Sequence, residues 1–205
     1  MFEISDIGKE ISTKYKPENP KTGKPITPKQ RAKRAMRKEN AKQIIADIGG
    51  IPKINESFDI LANGQSNAGG FYEVIRDTWG KVDCLCVATW MINRQYIDQL
   101  TEDLDSGKLK KLVFVISNRM SQLGKGHAPN FNRMKQKFSE LDNVHFRVIN
   151  SHAKTYCMTN GKDYITVDGS GNWSENPRIE NYTITNSKEK YLFRLEWMME
   201  MCKVK

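Results

Sequence analysis

SHAKTYCMTNGKDYITVDGSGNWSENPRIENYT, residues 151–183, collects most of the side chains in this chain that are able to do covalent chemistry. Two strand-like runs flank Asn160-Gly161, the strongest short signal for a two-residue type I′ hairpin turn, because both turn positions need positive φ. If Thr159 pairs with Lys162, then Lys154 faces Val167 and His152 faces Gly169. That register brings Gly169-Ser170-Gly171-Asn172 beside His152. His152 and Lys154 stand two apart, so on a strand the imidazole and the ammonium share a face.

Together these groups meet the needs of phosphoryl transfer. A neutral imidazole can attack phosphorus, while an ammonium, a hydroxyl and an amide donate to the charge on the equatorial oxygens. Glycines at 169 and 171 would let the backbone approach a phosphate closely. Taken singly, His152 reads as a satisfied core histidine and Lys154 as a solvated strand-edge charge. The order is more informative than either residue. His152-Ala153-Lys154, then Gly169-Ser170-Gly171-Asn172, then Glu180-Asn181 resembles the phospholipase D superfamily, in its single-motif, nuclease-like branch. Thr159 departs from the family pattern, which usually carries an Asp there, understood as mostly structural. The spacing to G-S-x-N is also longer than usual, which a longer hairpin tip at Asn160-Gly161-Lys162 absorbs. Asp163 replaces the missing Asp only if the tip is arranged differently.

At 205 residues the chain fits one domain plus an arm. No apolar run reaches the roughly 18 residues of a membrane span, and no signal-peptide core is present, so a soluble, cytoplasmic protein without stable membrane insertion is expected. Cys84, Cys86, Cys157 and Cys202 have neither C-x-x-C spacing nor the density of a disulfide scaffold. Cys84 and Cys86 share one face of an apolar strand, where reduced, buried thiols are expected. His127, His145 and His152 are scattered through unrelated contexts, so no metal site and no cofactor is expected.

Charge is concentrated at one end. Eleven Lys and Arg between Lys14 and Lys42, against Glu18 and Glu39, account for the whole net charge of +9. Residues 1–50 read as a basic, partly flexible arm and helix, and residues 51–205 as a globular domain. Thr27-Pro28-Lys29-Gln30 supplies a capping box, Gly49 a stop, and a helix over about 28–48 lies between them. Such a helix serves solubility, or it meets a polyanion, with nucleic acid the first candidate and DNA before RNA. Lys29, Arg31, Lys33, Arg34, Arg37 and Lys38 are its candidate contacts. It lacks the Trp, Phe and Leu face that would enter lipid.

Beyond residue 51, apolar patterning predicts a strand at Phe58–Leu61 and a helix capped by Ser66 or Asn67. A strand run at Val82–Met91 follows, then a helix capped by Asn93, and a strand at Leu112–Ile116. Residues 118–130 read as a long polar loop in which His127 either borders the site or is merely exposed. A helix through Phe131, Met134, Phe138 and Leu141, a strand at Val144–Ile149, the hairpin, a strand near 179–185 and a helix at 187–202 complete the chain. The alternation predicts an α/β fold with a mixed, mainly parallel sheet and helices on both faces. Arg178 clamps a phosphate or forms a surface salt bridge.

The resemblance implies more. It implies a phospholipase D-like domain from about Phe58 onward, in which Lys154 and Asn172 hold the phosphate, Ser170 supports the pocket and Glu180 orients the imidazole. One H-x-K motif per chain implies a homodimer, with one His152 as nucleophile forming a phosphohistidine and the other protonating the leaving oxygen, without metal. A metal-independent endonuclease acting on nucleic acid is the expected activity. Two other readings stay open, a catalytically silent nucleic-acid-binding protein of the same fold and a phospholipid phosphodiesterase.

Overall fold

The apolar runs at residues 84–89 and 112–117 are buried at nearly every position, and they form two adjacent interior strands of a seven-stranded sheet. The computed structural model of the chain describes residues 18–19, 24–25, 28–64, 66–174 and 178–203. In chain order the first elements are a two-residue ladder of β1 (Glu18–Asn19) with β2 (Lys24–Pro25), then α1 (Pro28–Asp47), β3 (Ser57–Asn63) and α2 (Ala68–Trp79). β4 (Cys84–Thr89), α3 (Arg94–Asp105), β5 (Leu112–Ser117), α4 (Arg119–Gln122), α5 (Gly124–Ser139) and β6 (Val144–Ile149) follow. β7 (Thr155–Thr159), β8 (Tyr164–Gly169), β9 (Ile179–Asn186) and α6 (Lys188–Lys203) complete the fold.

Sheet order is β3-β9-β8-β7-β4-β5-β6. By their pairings, β3, β4, β5, β6 and β8 point one way, and β7 and β9 the other. The sheet is therefore mixed, as expected. Yet only β4–β5 and β5–β6 are parallel neighbours, which corrects the expectation of mainly parallel pairing. β7, β8 and β9 follow one another without crossover helices, and antiparallel pairing is what short connections allow.

Period-two patterning divides the core between the two faces. Leu85, Val87, Phe114, Ile116, Tyr156, Met158, Ile165 and Val167 pack under α2, α3 and α5. Cys86, Ala88, Val113, Val115 and Cys157 face Tyr191 and Met198 of α6. Cys84 and Cys86 thus share a face as expected, and the hydrogen bond with Cys157, followed by burial, pushes the Cys86 thiol well up. Asn67 and Asn93 cap α2 and α3 through their side-chain oxygens, which accept from Gly70 N–H and Tyr96 N–H.

α1 matches its expected span, and Gly49 ends it with φ of +89°. The Thr27 cap lies outside the described residues. So do the side chains of Lys29, Arg31, Lys33, Arg34 and Arg37. The second half of α1 docks through Ala41 and Ile45, both buried. Lys38, one of the expected nucleic-acid contacts, is ion-paired with Asp77 of α2. Asp77 also receives Arg76, whose guanidinium reaches the buried Asp103 at 2.6 Å, with Tyr72 donating to the same carboxylate at 2.8 Å. Burial works against the Asp77 carboxylate, but hydrogen bonds from Lys38 and Arg76 outweigh it and hold its pKa below the usual range.

Two local expectations need correction. Residues 118–130 are not a loop: α4 and the first half of α5 occupy them, and Pro129 lies inside α5. Neither helix has a side-chain cap, and the segment has no apolar period, so nothing local marks it as helical. The β7–β8 hairpin pairs Thr159 with Tyr164 and Thr155 with Asp168, two residues from the expected register. The turn is four residues long because Asn160 Oδ1 accepts from both Lys162 N–H (3.0 Å) and Asp163 N–H (2.8 Å). Thr159 Oγ1 accepts from Gly161 N–H and donates to the Asp163 carbonyl, so the tip closes on a hydroxyl at the position where an Asp is usual. Asp163 turns instead to Asn186, accepting from Nδ2 at 3.0 Å. An even shift leaves every side chain on its expected face.

Among the described residues, no helix is long and apolar enough to cross a membrane.

Candidate active site

The five strands that share a direction end on one edge of the sheet, and the chemistry-bearing residues gather there. β8 ends at Gly169, whose N–H donates to the Lys154 carbonyl at 3.1 Å. Lys154 therefore faces Gly169, in the place expected for His152. His152 lies before β7, on a segment without regular structure. The two side chains nevertheless meet: Lys154 Nζ is 3.0 Å from His152 Nδ1 and 3.1 Å from the His152 carbonyl. An ammonium only donates, so Nδ1 accepts, and a neutral ring carries its proton on Nε2. Burial lowers the Lys154 pKa, and the charge of Glu180 acts in the opposite sense.

Ser170 follows the end of β8 and is clamped to β9. Its N–H donates to the Asn181 carbonyl (3.0 Å), its Oγ accepts from Asn181 N–H (3.1 Å) and donates to Glu180 Oε2. Glu180 is buried, with 6% of its surface exposed, while Ser170 and His152 are exposed. Within one chain, Glu180 thus holds Ser170, and Nδ1 of His152 is held by Lys154. Asn172 is placed by its neighbour. Trp173 is buried among Tyr72, Tyr96 and Tyr156, with ring centroids 5.4–5.6 Å away. Trp173 N–H donates to the Met91 carbonyl at 3.1 Å and Asn93 N–H to the Trp173 carbonyl at 2.9 Å, which ties the 169–174 loop to the end of β4. Thr89 Oγ1 reaches Asn172 Oδ1 at 3.4 Å from the same strand end.

The glycines have a structural cause other than the expected one. A Cβ on Gly169 would strike the Asn181 carbonyl, and one on Gly171 the Tyr182 ring and hydroxyl. They admit β9, not a phosphate.

Sequence patterning missed Trp90. It leaves the end of β4 and sets its indole against His152, ring centroids 5.0 Å apart at 45°, with Lys154 Nζ 5.9 Å from the indole centroid. Nothing local marks it: the contact joins residues far apart in sequence. His127 lies in α5 and is half-buried, and Arg178 is exposed at the entry to β9. Among the described residues, no three His, Cys, Asp or Glu side chains converge as metal ligands do.

In fold the chain is similar to solved phospholipase D-type structures. Nuc from Salmonella typhimurium, a phospholipase D family member, superposes with a TM-score of 0.50 and 13% identity over 71% of this chain and 94% of its own. NucT from Helicobacter pylori gives 0.50 and 14%, over 71% of this chain and 96% of its own. The phosphatidylserine synthase of Haemophilus influenzae gives 0.53 and 14%, over 74% of this chain and 39% of its own. At such identities the likeness establishes a phospholipase D-like fold. No protein-family model matches the sequence, and no curated protein does.

Proposed function

We propose that this chain is a metal-independent phosphodiesterase that cleaves nucleic acid through a phosphohistidine on His152, in a site shared by two copies. The observation that carries the reading is the direct contact of Lys154 Nζ with His152 Nδ1, at the sheet edge where Glu180 clamps Ser170. The phospholipase D-like fold supports it, since two of its neighbours are the proteins called Nuc and NucT.

The chemistry assigns a task to each group. Nε2 attacks phosphorus only when it is unprotonated, so the neutral ring must move its proton to Nδ1. A phosphate oxygen that draws Lys154 onto itself releases Nδ1, and Glu180 is the carboxylate already coupled to Lys154. Attack then forms the N–P bond as the P–O bond breaks, and the imidazolium of His152 of the partner subunit gives its proton to the leaving oxygen. Water completes the cycle: the same ring, now neutral, takes a proton from it as the N–P bond breaks. Lys154 and Asn172 hold the equatorial oxygens, and Ser170 keeps the loop against β9. Two histidines are required, and one chain has a single H-x-K, hence the two-fold.

The basic arm favours nucleic acid as substrate, DNA before RNA, with Arg178 as a further contact at the rim. A silent binding protein of the same fold is the second reading, and it draws on Nδ1 being occupied by a donor in the single chain. Cleavage of single- and double-stranded DNA and RNA in excess EDTA separates the two. Wild type is expected to cut, and His152→Ala to lose turnover while still binding. Salt-sensitive binding without cleavage, with or without added metal, would select the silent protein.

A further inference from the structure

We propose that Trp90 is a positioning residue of this site, its indole holding the His152 ring and the Lys154 ammonium in their mutual geometry. Its effect on turnover rests on the reading of His152 as the reacting group; its hold on the ring does not.

His152 needs such a hold. It is exposed, and residues 151–154 that carry it form neither helix nor strand. A side chain so placed samples several rotamers unless a neighbour fixes it. Trp90, by contrast, is rooted in a hydrogen-bonded part of the edge. The Met91 carbonyl beside it accepts from Thr89 Oγ1 at 3.0 Å and from Trp173 N–H at 3.1 Å. Ile92 is buried and bridges to Trp173. The indole therefore moves with the core, and the imidazole leans on it at a centroid separation of 5.0 Å.

Lys154 is held by the same ring. Its Nζ is 5.9 Å from the indole centroid, at the outer edge of cation–π reach, about 6 Å. Glu180 from β9 is the charged group whose field acts on Lys154 among the described residues. Trp90 Nε1–H is buried and has no hydrogen-bond partner among the described residues. What the structure shows in use is the ring itself, against the imidazole and within reach of the ammonium.

The test uses the full chain with its three histidines labelled with carbon-13 at Cε1, and His152→Ala assigns the His152 signal. Trp90→Leu removes the aromatic face and Trp90→Phe keeps one. The leucine variant is expected to move the His152 signal toward that of an unstructured histidine while His127 and His145 stay in place, and phenylalanine to restore part of the shift. On bis(p-nitrophenyl) phosphate, kcat is expected to fall about 100-fold in Trp90→Leu with little change in KM, the loss that a misplaced reacting group brings. Trp90→Phe should recover most of it. A His152 signal unmoved by leucine overturns the proposal. So does a leucine variant whose His127 and His145 signals show it unfolded, since Trp90 would then be a core residue. If the wild type turns over no phosphodiester, the proposed activity fails, and the His152 signal still decides the role of Trp90.

Discussion

Gly171 shows how a residue can be singled out correctly for the wrong reason. The pattern G-S-G-N marks the loop, but it suggests a phosphate where the space belongs to Tyr182. No local rule separates those uses of glycine, because the obstacle arrives from a strand eleven residues later. Gly171→Ala is accordingly expected to destabilise the fold by about 1–3 kcal/mol, the usual range for overpacking. Denaturant unfolding at unchanged m-value would measure it, and an unmoved midpoint would mean that the loop has room to spare. Asn67, Asn93 and Gly49 are legible for the opposite reason. A cap or stop is decided within a few residues, and the Gly49 φ of +89° is of the kind glycine alone adopts readily. His152, Lys154, Ser170, Asn172 and Glu180 are singled out by their order along the chain, and the fold brings them to one edge of the sheet, whereas Trp90 has no partner nearby in sequence to betray it.

Elements with a strong apolar period are legible with their ends nearly right, and α4 with the start of α5 is not. Its helicity is imposed by docking, not by propensity, and Pro129 argues locally against it. The hairpin is recognisable but its turn is not, because Asn160 spends its side chain on two backbone donors and Thr159 closes the tip. α1 divides along its length. Ala41, Ile45 and the Lys38–Asp77 pair fix its second half to α2, so deleting the whole helix would open the core. The nucleic-acid role proposed for its first half is better tested by Arg31→Gln, Lys33→Gln and Arg34→Gln together. If those side chains meet phosphates, the slope of log K against log salt should flatten by about 0.7–0.9 for each phosphate no longer neutralised. The same slope in the triple variant would leave the basic segment as a solubility device.

For the molecule as a whole, the fold class is legible because strands and helices alternate, while the pairing is less so because strand direction and strand neighbourhood are different properties. Five strands share a direction, and that common edge is where the candidate site residues gather. The proposed two-fold rests on one H-x-K per chain, and a single chain does not display the second imidazole. Near the site, β3 is an edge strand, and Leu61 and Ile179 on the β3–β9 ladder are 77% and 69% exposed, in keeping with a surface that association would cover. What makes the protein an enzyme, on this reading, is a covalent bond from His152 to phosphorus. Base-quenched peptide mapping during turnover of a DNA oligonucleotide tests that bond directly. A nucleotide carried on His152, stable in base and lost in acid, is the expected result; cleavage that proceeds with no adduct on His152, or with one on another side chain, would contradict it.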